Sequence, residues 1–304
     1  MKMIPKNFFL YWSGHDFCYA HYVSILSLLK TNQIERCEIY YEHEPAHNAD
    51  WERLKSLDKV WMIHLDFDDL IKKAGFKRCY FDAFFKQKGG PNHPSNLFRY
   101  LILQCYGGIY IDFDILVVRD LGPLLDAEFF IAYQHYNGRH PLNGAVMGSN
   151  RESDCLKLCL EEIIKYTKNH AKFSWLAFGP ELLNNLFMSK TSTAKGSLRI
   201  LNSLFKAGWD TGRISQFCSS WIKKKGLDYE IYPKSYFYFY SWPEWEKIFK
   251  KNPLPRNTYA IHWWNSKSRE FIKTIDEEYI NSSDSFFASA TKMALGHNPH
   301  PSVS

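Results

Sequence analysis

Asp112 and Asp114 stand one residue apart in an apolar stretch, with Ile109-Tyr-Ile111 before them and Ile115-Leu-Val-Val118 after. In a strand, residues two apart point to the same side, so this spacing predicts that the two carboxylates project together. Like charges in such surroundings repel and lose hydration, which is costly unless a cation compensates them. A hard divalent metal held by oxygen ligands is the natural compensation, and the pair reads first as a metal site. The plainer alternative is two acids at a solvated hairpin.

The residues upstream must position this pair. Pro91-Asn-His-Pro94 breaks the chain, and Ser95 can cap a helix running to Tyr106, which Gly107-Gly108 ends before the Ile109 strand. Asn92, Asn96 and Arg99 share one stripe of that helix, surrounded by Leu97, Tyr100, Leu101, Ile102 and Leu103. A helix this apolar is mostly buried, so Arg99 must snorkel to a surface or pair with an anion. Its fork matches phosphate or carboxylate, including a salt bridge with Asp112 itself.

The first half of the chain alternates short apolar runs with amphipathic segments. Strands are expected at Phe8–Trp12, Cys37–Glu42 and Val60–Leu65, and helices at Tyr19–Lys30, Trp51–Leu57 and Asp68–Ala74. This alternation implies an α/β fold, a parallel-type sheet with helices on both faces whose ligands sit beyond the carboxyl ends of the strands. Trp12 and the Asp pair fall at such ends. Phe129–Gln134 and Gly144–Gly148 read as further strands, and Ser153–Lys168 as a helix. Gly179-Pro180-Glu181 starts another helix, with Pro180 where proline is tolerated. Residues 190–228 receive no element. Tyr229–Tyr232 and Thr258–Trp264 read as late strands around a helix through Trp242–Phe249, and the chain after Asp284 reads as a loose tail. The expected organisation is one domain over residues 1–283 and a tail over 284–304.

The 304 residues, 45% hydrophobic and 17% aromatic, can bury a sizeable core. The net charge of +6 is spread along the chain, with Lys223-Lys-Lys225 the only run of three, which argues against a nucleic-acid binder. It suits an anionic substrate or contact with an anionic membrane surface. Seven scattered cysteines without a CxxC pair fit reduced thiols. With no signal-like segment and no membrane-spanning run, a cytoplasmic protein is expected, with peripheral contact at the inner face of the membrane compatible with its charge.

Ser95-Asn-Leu-Phe-Arg99-Tyr, followed by Tyr106-Gly-Gly-Ile-Tyr-Ile-Asp112-Phe-Asp114, resembles the signature of the DXD-containing sugar-nucleotide glycosyltransferases. This group takes in Och1-type mannosyltransferases, alpha-1,4-glycosyltransferases and capsular polysaccharide transferases. The opening Ile4-Pro5-Lys6…Tyr11-Trp12-Ser13-Gly14 and the late Ala260-Ile261-His262-Trp263-Trp264 are similar to its flanking elements, so the resemblance spans roughly residues 4 to 265. It implies a GT-A-type, Rossmann-like mixed sheet. It also implies a retaining transferase that moves a sugar from a nucleoside-diphosphate sugar, a UDP-sugar favoured, to a glycan or a lipopolysaccharide or capsule acceptor.

By the same resemblance Asp114 coordinates Mn²⁺ or Mg²⁺, and Asp112 contacts metal or ribose. Arg99 lies near the donor sugar or phosphate. Trp12 stacks on the base, where the residues alone equally allow core packing. His262 lies near the diphosphate or metal with Trp264 beside it, where a lone strand histidine is otherwise structural. Asn96 replaces an aspartate of the family pattern and can still hold a sugar hydroxyl as donor and acceptor. Asn143-Gly144 and Gly179-Pro180-Glu181 resemble acceptor-side elements, with strand packing and a plain helix start as the alternatives.

Competing functions are a transferase acting on a protein acceptor, a non-catalytic sugar-nucleotide binder, and a glycoside hydrolase. The last needs acids flanking the scissile bond about 5 Å apart or more, whereas these two are expected on one strand edge. His43 and His47 have metal-like spacing, but Glu44-Pro45 between them breaks a helix. The aromatic run Tyr236–Tyr240 reads as packing or as a sugar-site wall.

Overall fold

Alternation along Asn7–Trp12 (β1) sends Phe8, Leu10 and Trp12 into one hydrophobic core and Phe9 and Tyr11 into another. A strand with large apolar side chains on both faces belongs inside a sheet that is covered on both sides. The computed structural model of the chain, which describes residues 3–14, 16–34, 36–87, 92–135, 141–188 and 227–296, has that arrangement.

The expected β/α alternation is found with boundaries shifted by a residue or two. Tyr19–Thr31 (α1), Arg36–Tyr41 (β2), Ala49–Lys55 (α2), Val60–His64 (β3) and Phe67–Lys73 (α3) follow β1. Asp82–Lys86 (α4), Asn92–Tyr106 (α5), Gly108–Ile111 (β4) and Ile115–Val117 (β5) come next. Phe129–Tyr133 (β6), Leu142–Ser149 (β7), Asp154–Asn169 (α6), Pro180–Phe187 (α7) and Glu230–Tyr232 (β8) complete the main sheet and its cover. The seven strands lie in the order β3-β2-β1-β4-β7-β6-β8. Strands β3 to β4 are parallel, β7 runs antiparallel between β4 and β6, and β8 is parallel to β6. The α/β reading therefore holds, as a mixed sheet. Ala260–His262 (β9) forms a separate antiparallel pair with β5, with Ile115 opposite His262.

Four expectations need correction. The Asp pair is not on a strand: β4 stops at Ile111, and residues 112–114 form a turn in which the Ile115 N–H donates to the Asp112 carbonyl (3.2 Å). Helix α5 begins at Asn92 rather than after Ser95. Pro94 is accommodated in its first turn, where no intrahelical donor is needed, and the Ser95 hydroxyl bonds back to the Asn92 carbonyl. Trp242–Phe249 is a 3₁₀ helix, started by a capping box of Ser241 and Glu244, and the late strand is only three residues long. Finally, residues 284–296 are no loose tail. Lys234–Phe237 (α8), Asn265–Ile272 (α9) and Glu277–Ser282 (α10) lead into Phe286–Ala294 (α11), capped by Ser285. Phe286, Phe287, Ala288 and Ala290 of α11 are fully buried in the α1-side core. Most of the unassigned segment 190–228, with Lys223–Lys225 and Cys218, lies outside the described residues, as do Pro91 and residues 297–304. The six described cysteines are free thiols.

The joint between α5 and β4 sets the site. Gly107 has φ +64° and Gly108 φ +126°, and a Cβ on Gly108 would lie 2.5 Å from the Asn7 carbonyl oxygen of β1. Gly108→Ala is therefore expected to lower stability by roughly 2 kcal/mol or more, from backbone strain plus loss of close strand pairing, read as a lower urea midpoint. From this joint α5 packs back across the sheet. Its 15 residues span about 22 Å while the four of β4 span about 13 Å, so its N-terminal turns stand beyond the carboxyl edge.

Candidate active site

Asp112 and Asp114 leave the end of β4 toward different supports. The Asp112 amide donates to the Ala145 carbonyl of β7 (2.8 Å), which anchors the turn to the sheet. Its Oδ1 accepts from Arg99 Nη2 of α5 (3.2 Å) and from the Tyr110 hydroxyl of β4. Asp114 Oδ2 accepts from His262 Nε2 (2.9 Å) and from the Asn265 backbone N–H (2.8 Å). The Trp263 N–H donates to the Asp114 carbonyl (3.0 Å), extending the β5–β9 pairing to the site. The recorded bonds thus fall on one oxygen of each carboxylate. The side chains of Asp112 and Asp114 are 25% and 14% exposed, against 6% for Arg99 and 8% for His262. The carboxylates are the outward members, with their partners behind them.

Arg99 reaches the pair because of a missing side chain. A Cβ on Gly144 of β7 would lie 3.1 Å from Arg99 Nη1, so glycine is what lets the guanidinium pass. Arg99 also stacks over the Tyr110 ring at 4.6 Å. Burial alone would weaken its charge, but Asp112 together with Tyr110, Tyr100 and Tyr238 more than offsets this and the guanidinium stays firmly protonated. Burial raises the Asp112 carboxyl above its usual range, opposed by Arg99 and reinforced by Asp114. For Asp114, burial is outweighed by His262 and by the Asn265 N–H, and its carboxyl is held below the usual value. The Asn265 N–H is the first of α9, where a helix dipole favours a carboxylate.

That N–H is aimed by strain. Trp264 has φ +60°, a left-handed conformation that costs a bulky residue about 1–3 kcal/mol. Its indole N–H donates to the Tyr240 carbonyl (2.9 Å), and its ring lies 3.9 Å from that of His262. Tyr238, fully buried, stands edge-on to His262 and bonds to Asn143 O and Val146 N of β7. The aromatic run is thus the wall that fixes His262 and Trp264.

The structure brings together Asp112, Asp114, Arg99, His262 and Trp264. Asn96, one turn before Arg99 on α5, is 5% exposed, and its side chain makes no hydrogen bond among the described residues. A Cβ on Gly179 would lie 3.4 Å from its Oδ1, which places the Gly179-Pro180 turn beside Asn96. Pro180 opens α7, and Glu181 accepts from the Ser174 hydroxyl (2.7 Å). The Asn143 amide is committed to Gln134 Oε1 and to the Ala145 N–H, so only its backbone touches the site, through Tyr238. Trp12 ends β1 as expected but is 7% exposed, enclosed by Phe17, His21, Trp51 and Phe113. At that exposure it packs as part of the α1-side core in this structure. His21 beside it is held neutral, its basicity lowered to about 4 by burial.

Tyr110 and Asn265 are not singled out by the sequence, and Tyr238 only as part of the aromatic run Tyr236–Tyr240. Tyr110 had a visible signal, standing two residues before Asp112 on the expected strand. Asn265 had none, because it acts through its backbone.

Two acidic side chains with an outward oxygen each fit a hard divalent cation that takes its remaining ligands elsewhere. Mg²⁺-like ions are commonly bound by one or two carboxylates plus substrate phosphates and water. Among the described residues no three His, Cys, Asp or Glu side chains form a group able to hold a metal by themselves. His262 is arranged as the orienting partner of Asp114: its Nε2–H faces the carboxylate, and its buried Nδ1 has no partner among the described residues.

With the geometry in place, the comparisons with known proteins agree on the family. The family described as a glycosyltransferase sugar-binding region containing a DXD motif matches residues 24–131, and the alpha 1,4-glycosyltransferase conserved region matches residues 213–283. Lactosylceramide 4-alpha-galactosyltransferase of Homo sapiens is 29% identical over 81% of this chain and 64% of its own length. The Mus musculus enzyme of the same name is 28% identical over 71% of this chain and 53% of its own length. The chain thus spans between about half and two thirds of these relatives. Among solved structures, the PaToxG glycosyltransferase superposes with a TM-score of 0.45 at 18% identity, covering 68% of this chain and 76% of that one. The DXD region holds α5 and the Asp pair, the second region holds His262, Trp264 and Asn265, and the sheet that positions them is mixed, as expected. The chain thus carries a DXD-motif glycosyltransferase sugar-binding region and an alpha 1,4-glycosyltransferase conserved region.

Proposed function

We propose that the protein transfers a hexose or N-acetylhexosamine from a nucleoside-diphosphate sugar, UDP-sugar being favoured, to a glycan or glycolipid acceptor, with Mn²⁺ or Mg²⁺ as cofactor. The observation that carries this is the Asp112-Phe113-Asp114 turn, whose carboxylates are each held from behind by a dedicated cationic or N–H partner. Asp114, kept ionised by His262 and the start of α9, and Asp112, kept in place by Arg99 and Tyr110, are the residues that would hold the cation. When bound, the cation supplies Lewis-acid neutralisation of the departing diphosphate.

The remaining roles belong to the chain. Arg99 keeps a fixed positive charge at the carboxyl edge of the sheet, where it favours an anionic donor. Asn96 offers both a donor and an acceptor to a sugar hydroxyl. Retention of the anomeric configuration is carried over from the family resemblance. The lactosylceramide in the relatives' names favours a glycolipid or glycan acceptor over protein, and a bacterial polysaccharide acceptor remains within this proposal.

The test is an assay of UDP-, GDP- and dTDP-sugars against soluble glycans and glycolipids with Mn²⁺, with anomer analysis of the product by NMR. Transfer from a UDP-sugar that EDTA abolishes and Mn²⁺ restores is the expected result. Binding of UDP without turnover on any acceptor would reduce the protein to a nucleotide-sugar binder, and a labelled protein band from a lysate would move the acceptor class.

A further inference from the structure

Of the exposed large hydrophobic residues, Trp61, Tyr80 and Tyr106 each make a ring or cation contact. Trp175 and Leu176, adjacent in sequence and 54% and 43% exposed, make none among the described residues. Their backbone is firmly held all the same. The Trp175 carbonyl accepts from Asn92 Nδ2 of α5 (2.7 Å), and His93 Nε2 meets the Ser174 carbonyl (3.0 Å). The Tyr100 hydroxyl donates to the Phe178 carbonyl (2.9 Å), and the N–H groups of Gly179 and Glu181 both donate to the Leu176 carbonyl. A loop tied by this many bonds presents its side chains at little further entropic cost, which is what a binding anchor needs.

The placement says what is bound. The loop is strapped to the N-terminal turns of α5, which stand beyond the carboxyl edge of the sheet. Asn92 lies seven residues before Arg99, about 10 Å along the helix, a span that a short oligosaccharide bridges. Asn96 lies between them with its amide uncommitted, and Gly179 of the same loop abuts it. A sugar ring presents C–H groups on one face and hydroxyls at its rim, which suits the negative face of an indole with amide and carboxylate groups nearby. A bilayer suits it less: the patch is two residues wide, and Glu181 puts a carboxylate beside it.

We propose that Trp175, with Leu176 beside it, is the acceptor-side platform on which a sugar ring of the glycan acceptor stacks, and that it sets which acceptors are taken. This rests on the glycosyltransferase reading above. The test compares the protein with its Trp175→Ala and Trp175→Phe variants against a panel of soluble oligosaccharides with UDP-sugars and Mn²⁺, alongside UDP binding by calorimetry. The expected result is an acceptor KM raised about tenfold or more in Trp175→Ala, unchanged UDP affinity, and substantial recovery in Trp175→Phe. An unchanged acceptor KM in Trp175→Ala, with the unsubstituted protein transferring normally, overturns the platform. If Trp175→Ala instead loses only its binding to phosphatidylglycerol vesicles, the occupant is a bilayer and the proposal is equally overturned. UDP binding with no transfer by the unsubstituted protein defeats the glycosyltransferase reading itself.

Discussion

Asp114→Asn is expected to cut sugar transfer by about a thousandfold while leaving the fold intact. An asparagine oxygen can still accept from His262 Nε2–H and from the Asn265 N–H, the two donors that now converge on Asp114 Oδ2. The substitution therefore removes charge from the site and little else. Losing one preorganised electrostatic group in an active site costs about 10²–10³ in rate. Asp114→Ala should lose at least as much activity and also stability, because both donors would be left without an acceptor at about 1–3 kcal/mol each. Transfer rates and urea midpoints for the two variants separate these effects. Near-normal turnover in Asp114→Asn would remove the residue from the mechanism.

Much of this site was legible because its chemistry is local. The Asp pair, Arg99 on the preceding helix and the Gly-Gly joint lie within about twenty residues, and each carries a type-specific constraint: repulsion between like charges, a cation in an apolar helix, a turn requiring φ > 0. The β/α alternation was readable for the same reason, since strands buried on both faces are short apolar runs.

What failed to show depends on residues far apart in the chain. Asp112 and Asp114 would share a pleat only in a continuous strand, but β4 stops at Ile111 because the chain turns there to pair β5 with β9, some 150 residues later. Helix α11 reads as tail in the sequence because Phe286-Phe-Ala-Ser-Ala is a short run in a polar setting, and only the α1-side core reveals its anchors. Trp12 stands at the expected strand end, yet its exposure is set by Phe17, Trp51 and Phe113 from three other segments. Asn265 contributes a backbone N–H aimed by the left-handed Trp264, a geometry that no residue type encodes.

Arg99→Met is expected to harm both stability and transfer, and the pattern of rescue identifies why. The guanidinium and the Asp112 carboxylate form a largely buried pair, and removing one partner of such a pair costs about 3–5 kcal/mol because the other charge is left uncompensated. Burial already raises the Asp112 carboxyl, with Arg99 as the main opposing influence, so the variant should raise it further. A carboxyl raised in the folded state favours folding at low pH and loses that contribution as pH rises through its folded value. The stability deficit of Arg99→Met relative to the unsubstituted protein should therefore widen toward neutral pH and narrow in acid. Adding Asp112→Asn removes the stranded charge and should recover most of the urea midpoint. Transfer, reduced about a hundredfold or more in Arg99→Met by the loss of a fixed cation at the donor edge, should stay low in the double variant, which also lacks one of the two carboxylates placed to hold the cation. Recovery of both stability and transfer would take Arg99 and Asp112 together out of the catalytic machinery and leave them a structural pair. Recovery of neither would mean that its contacts with Ser95 and Tyr110, rather than the ion pair, hold the end of α5 against the sheet.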